Sequence, residues 1–289
     1  MDIVSTIKNS IRYFVNDSLN NSLMNEENER AFKNPLVGFS NGDDLLYKFF
    51  KEDIGSFHWE PIDIFKRTFP QLKATPDRLT VISWILPQTR ATKLDNQKMA
   101  IYPSERWVRA RVYGEKFNDK LRRHIETILQ KLGYNAVSPA LSPIWKWERS
   151  KNYGLASHWS ERHAAFVSGL GTFGLCDGLI TLKGKAMRCG SVIANIQIEP
   201  TKRQYNDRNE YCLFFSKGLC GFCIKRCPIS AISKKGYNKE KCEKYLNLTR
   251  GYVISNFGFE GYACGLCQTG VPCESKIPTE DDLKGKAIR

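Results

Sequence analysis

Eight of the ten cysteines in this chain fall in one window: Cys212, Cys220, Cys223, Cys227, Cys242, Cys264, Cys267 and Cys273. A disulfide scaffold would explain a dense, even count, but such scaffolds belong to oxidising compartments and to domains too small to bury a core. This chain has 289 residues, 42% of them hydrophobic, so it can build a core without staples. Eight is also twice four, and the window therefore reads as clustered metal thiolates. Cys176 and Cys189 lie outside it and read as ordinary buried thiols.

The spacing narrows the metal. Cys220-Gly-Phe-Cys223-Ile-Lys-Arg-Cys227-Pro228 reproduces the last three cysteines and the proline of the bacterial ferredoxin run. The first cysteine of that run is replaced by Lys217, and Cys212 reaches the same iron if the segment between loops out. Tetrahedral zinc also takes four cysteines, but it does not call for the C-x₃-C-P feature. In two-cluster ferredoxins the cysteine before proline ligates the other cluster. The crossing rule assigns Cys212, Cys220, Cys223 and Cys273 to one [4Fe–4S] cluster, and Cys227, Cys242, Cys264 and Cys267 to the other. Residues 201–250 hold 12 Lys/Arg against 4 Asp/Glu, a basic excess that offsets the negative charge of cubane–thiolate units.

The rest of the chain reads as a mixed α/β (α+β) core. Residues 1–60 are an irregular or helical N-terminal layer, 61–200 an α/β domain, and 201–289 the cysteine domain. Leu79 to Leu86 is a buried strand, and Phe117 to Leu132 a helix with apolar residues at helical spacing. A second helix is expected from about Ser157 to Gly169, and Ile180–Leu182 and Ser191–Ile198 as paired strands. No run of about 18 apolar residues could span a bilayer, and the start lacks a secretory pattern, so a cytoplasmic protein is expected. A formal net charge of +14 favours a polyanion, an anionic membrane face or an acidic protein partner.

Gly169-Leu170-Gly171-Thr172-Phe173-Gly174 is literally G-x-G-x-x-G, but it follows a helix and precedes a strand, the reverse of a dinucleotide-binding turn. The glycines read instead as a loop that lets a flat ligand approach the backbone.

Taken together, Ser160-Glu-Arg-His-Ala-Ala-Phe-Val-Ser-Gly-Leu-Gly-Thr-Phe-Gly174, the strand Leu179–Leu182, Leu121-Arg122-Arg123-His124-Ile125 after Gly114, and the double cysteine cluster resemble the epoxyqueuosine reductase family and its relatives the reductive dehalogenases. The resemblance spans roughly residues 105 to 275. It implies a nitroreductase-like corrinoid-binding fold followed by a bacterial ferredoxin-like domain. It also implies a cobalamin bordered by Gly169, Gly171, Thr172, Phe173 and Gly174, and two [4Fe–4S] clusters delivering electrons to it. The expected activity is that of a reductase drawing on an external electron donor and acting on a small-molecule substrate. Two other classes stay open: an electron-transfer accessory protein without corrinoid catalysis, and an RNA-directed protein, including an epoxyqueuosine reductase acting on tRNA.

The chain departs from the family where the substrate is handled. Counting back from Glu161 puts Leu155 where the epoxyqueuosine enzymes carry an acid, and Gly114-Glu115-Lys116-Phe117-Asn118 replaces a polar element. The remaining proton-donor candidates are His158 and Tyr153. Glu161 and Arg162 read as an exposed helical ion pair, and His163 as a packed histidine.

Overall fold

The computed structural model describes residues 2–284. Helix α1 (Ile3–Asp17) is capped by Asp2, whose carboxylate accepts from the Ser5 N–H, and it buries Ile7, Ile11 and Val15 on one stripe. Strand β1 (Leu36–Asn41) follows, then helices α2 (Leu45–Ile54) and α3 (Pro61–Thr68). Strand β2 (Thr80–Pro87) is buried along its whole length. Helix α4 (Arg90–Lys98) leads to α5 (Glu105–Lys131), which runs for 27 residues. Strand β3 (Ala136–Val137) and the hairpin β4 (Trp147–Ser150) and β5 (Gly154–Ser157) come next, followed by α6 (Glu161–Val167). Strands β6 (Gly171–Phe173), β7 (Leu179–Thr181) and β8 (Met187–Ala194) complete this part.

The main sheet has the order β1-β2-β8-β3 and is antiparallel throughout. Alternation along β2 sends Val81 and Ile85 to a core shared with α2, α3 and α6, and Ile82, Trp84 and Leu86 to a second core under α1 and α5. Helices therefore cover both faces, which is why β2 reads as a continuous apolar run. The N-terminal segment is part of this layer: β1 is its edge strand, and Thr201 is bonded both ways to Phe39 of that strand.

Two sequence expectations are corrected here. Helix α5 begins twelve residues before Phe117, capped by Ser104, because Gly114 inside it admits Phe32, whose ring lies 2.7 Å from where a Cβ would stand. Strand β7 pairs with β6 and not with β8, since the chain turns back at Gly174–Gly178 before the central strand begins.

Beyond residue 200 the chain is made of short pieces: α7 (Leu213–Lys217), α8 (Phe222–Lys225), β9 (Ile232–Ser233), β10 (Gly236–Tyr237) and the longer α9 (Lys239–Phe257). Arg226 ties this region to α4 by donating to the carbonyls of Asn96, Met99, Leu266 and Thr269. The chain then returns to the sheet, where the carbonyls of Cys273 and Glu274 accept from the N–H groups of Lys185 and Ala186 at 2.9 and 3.1 Å.

Candidate functional site

All ten cysteines are free. Cys212, Cys220, Cys223 and Cys273 line one narrow enclosed cavity with Ile180, Phe222 and Val271. Cys227, Cys242, Cys264 and Cys267 lie outside that lining. Burial pushes the Cys264 thiol up to about 12, and the nearby Cys242 and Cys227 add to the rise. Burial likewise raises Cys242, where Cys227 again contributes. Burial moves Cys273 up to about 11 in the first group. Among the described residues no three His, Cys, Asp or Glu side chains converge on a single metal ion. Eight unbridged sulfurs, of which those of Cys212, Cys223, Cys227, Cys267 and Cys273 share one apolar cluster, with an N–H donor on the Cys227 sulfur from Ala231 at 3.2 Å, are a donor set that suits iron–sulfur clusters.

A second, open cleft of about 470 Å³ lies beside the cysteine cavity. Its lining includes Tyr153, Phe173, Gly174, Asp177, Arg208 and Lys239. Gly174 and Leu175 line both spaces, so one stretch of backbone is their common wall. The volume falls in the range of cofactor and ligand pockets, and the lining combines aromatic rings, glycines and several charged and amide side chains.

The polar groups are held in place. Tyr153 donates to the Asp53 carboxylate at 2.7 Å, and Arg208 stands 3.7 Å from the same oxygen. Burial and the Asp53 carboxylate raise the Tyr153 phenol, which keeps it protonated. Asp177 has a left-handed backbone (φ 59°) and pairs with Lys239 at 3.4 Å and Arg162 at 3.5 Å.

The structure separates the residues singled out from sequence. Phe173 and Gly174 line the cleft, and so does Tyr153. Gly169, Gly171 and Thr172 do not. Gly169 ends α6 with φ 76°, and the Thr172 hydroxyl accepts from the Tyr211 N–H. A Cβ on Gly171 would stand 2.2 Å from the Ile180 carbonyl oxygen, so this glycine serves strand pairing and not a ligand. His158 is not in the cleft lining: its ring lies tilted against Trp59 with centroids 4.7 Å apart, and its Nδ1 bonds the Ile144 carbonyl. Leu155 sits in β5 opposite Arg149, two residues beyond Tyr153.

The pair expected on α6 is not a pair. Glu161 meets Arg122, a fully buried guanidinium that also holds Glu115 and Asp119. His163 is packed, with its Nδ1 2.8 Å from Ser160 Oγ. Sequence reading missed Asp53, Asp177, Arg208 and Lys239, which are scattered along the chain and share no motif; the residues between Gly174 and Leu179 were the available signal, because a turn between two short strands must project its polar residue.

Comparison with known proteins bears on what this site is. No family model matches the chain. A curated epoxyqueuosine reductase from Staphylococcus aureus (strain NCTC 8325 / PS 47) is 25% identical over 260 residues, covering 85% of this chain and 62% of the relative. This chain is thus similar, at a distance, to the epoxyqueuosine reductases. It spans less than two thirds of that enzyme's length. Among solved structures, an epoxyqueuosine reductase bound to a tRNA-Tyr epoxyqueuosine-modified stem loop matches 94% of this chain and 66% of its own, with a TM-score of 0.50 and 18% identity. A reductive dehalogenase, whose structure suggests a mechanism for B12-dependent dehalogenation, matches 86% of this chain and 31% of its own, with a TM-score of 0.54 and 15% identity. These structural likenesses give the fold. No helix among the described residues of this chain is long and apolar enough to cross a membrane.

Proposed function

We propose that this chain is an iron–sulfur reductase. Cys212, Cys220, Cys223 and Cys273 hold one [4Fe–4S] cluster, Cys227, Cys242, Cys264 and Cys267 the other, and residues from about 201 onward form a ferredoxin-like domain on the α/β core. The cleft takes a cobalamin, with Phe173 and Gly174 against it. A corrinoid bound there would supply reducing power toward a substrate, and iron–sulfur clusters on the two cysteine sets would be its source of electrons.

The observation that carries the reading is the common wall: Gly174 and Leu175 border both the cysteine cavity and the cleft, so an electron crosses one layer of backbone. Arg208 and Lys239 orient an anionic or polar substrate, and Tyr153 supplies a proton, the substrate competing with Asp53 for it. Free thiols and clusters suit a reducing compartment, the cytoplasm. The charge of +14 supports an acidic electron donor or a tRNA as partner, by attraction that carries no chemistry. Epoxyqueuosine in tRNA is not the proposed substrate, because Leu155 has no proton to give.

Anaerobic purification with cobalamin supplied, followed by quantification of iron, sulfide, cobalt and zinc, tests this. About eight irons and eight sulfides per chain are expected, with cobalt retained. Tyr153→Phe should keep these loads and lower substrate reduction by about 10²- to 10⁴-fold. Zinc in place of iron would sink the reading. Iron without cobalt would replace it with an electron carrier, and robust turnover of epoxyqueuosine-containing tRNA would overturn the substrate assignment.

A further inference from the structure

Lys185 follows β7 in the turn toward β8 and is 3% exposed. Its Nζ stands 3.2 Å from the sulfur of Cys176, and among the described residues no carboxylate lies within ion-pair distance of it. Lys185 lines the cavity of Cys212, Cys220, Cys223 and Cys273. Cys176 belongs to the apolar cluster that holds Cys212, Cys223 and Cys273 of that group and Cys227 and Cys267 of the other. Cys176 is thus a ninth sulfur placed between the two sets, and it carries the only buried ammonium named in this cavity lining. A buried cation without a counter-charge is expensive, so the anion that offsets it must be part of the site.

We propose that Lys185 is a fixed positive charge shared by the two cysteine sets, raising the reduction potential of the clusters they bind, and that Cys176 binds no iron but holds the ammonium between them. A cluster gains one negative charge on reduction, and a nearby buried cation stabilises that state more than the oxidised one. Lys185 is therefore a positioning residue for electron flow, and the proposal rests on the iron–sulfur reading above.

The test uses the full chain, loaded anaerobically, with iron and sulfide counted and the clusters titrated potentiometrically against dithionite under EPR. Lys185→Met and Lys185→Gln should keep their iron and titrate at lower potential than the parent, and Lys185→Arg should restore it. Cys176→Ala should keep all the iron, whereas loss of iron from it would make Cys176 a ligand and overturn its assigned role. Lys185→Gln retains an N–H donor toward sulfur, so it isolates the charge. Both neutral variants loading fully and titrating with the parent would overturn the proposal. If the neutral variants lose iron, retention by Lys185→Arg supports a requirement for the charge, and loss there too overturns it in favour of packing. A parent that holds no iron refutes the reading beneath, a result distinct from any of these.

Discussion

At the scale of single residues, the least obvious feature is Arg122. Its side chain is 2% exposed and shared among Glu115, Asp119 and Glu161. Removing one partner of a buried pair strands the others, and Arg122→Met is expected to cost about 3–5 kcal/mol in chemical denaturation. Glu115 gives a pH signature. Burial pushes its carboxyl up, but the guanidiniums of Arg188 and Arg122 outweigh this and hold it well below its ordinary value of 4.5. A carboxyl depressed in the folded state contributes stability that is present above the unfolded value and lost as pH falls through the folded one. The stability gap between the parent and Glu115→Gln should therefore be full near neutrality and shrink on acidification below about 4.5, as read by urea denaturation across pH. Sequence made the cysteines legible because ligand spacing is a local pattern. It could not reveal Arg122, whose partners lie on α5 and α6 and are brought together only by packing.

At the scale of elements, β6 and β7 decide how the two spaces meet. Gly171 touches the Ile180 carbonyl oxygen, and Ile180 lines the cysteine cavity. Gly171→Val must push the two strands apart, at a cost of about 1–3 kcal/mol or more. The expected outcome is loss of iron from the Cys212, Cys220, Cys223 and Cys273 site together with loss of cobalamin uptake, measured by metal analysis. Full iron retention with corrinoid binding alone abolished would mean that Gly171 faces the ligand after all. The glycine pattern was visible in sequence, but its reason was not, because a close backbone approach across a hairpin depends on register. Helix α5 was foreshortened for a similar cause: the Gly114 that argues against helix is required by Phe32, which lies far away in the chain.

At the scale of the whole molecule, the cysteine region owes little to apolar packing of its own. The core beneath it consists of cysteines together with Leu175, Ile180, Ile232 and Val271. Metal binding in such a region is folding free energy. Chelation of iron should expose residues between about 201 and 260 to limited proteolysis while the sheet with β1, β2 and β8 stays protected, with fragments identified by mass spectrometry. The change of texture near residue 200 was readable from composition, because lysine, glycine and cysteine replace the apolar runs there, and beyond it the elements are mostly short. The participation of the N-terminal segment in the sheet was not, since an edge strand of six residues carries too short a pattern. The bonds from Cys273 and Glu274 to Lys185 and Ala186 have one more consequence, which concerns time. The wall that Lys185 belongs to leaves the ribosome well before Cys273 does, and at roughly 5–20 residues per second that interval is several seconds. All strands of the sheet have then been made when the last sulfur of the cavity arrives, so on the proposed iron–sulfur reading the final side of the chamber closes late, and cluster insertion is expected to follow synthesis instead of accompanying it.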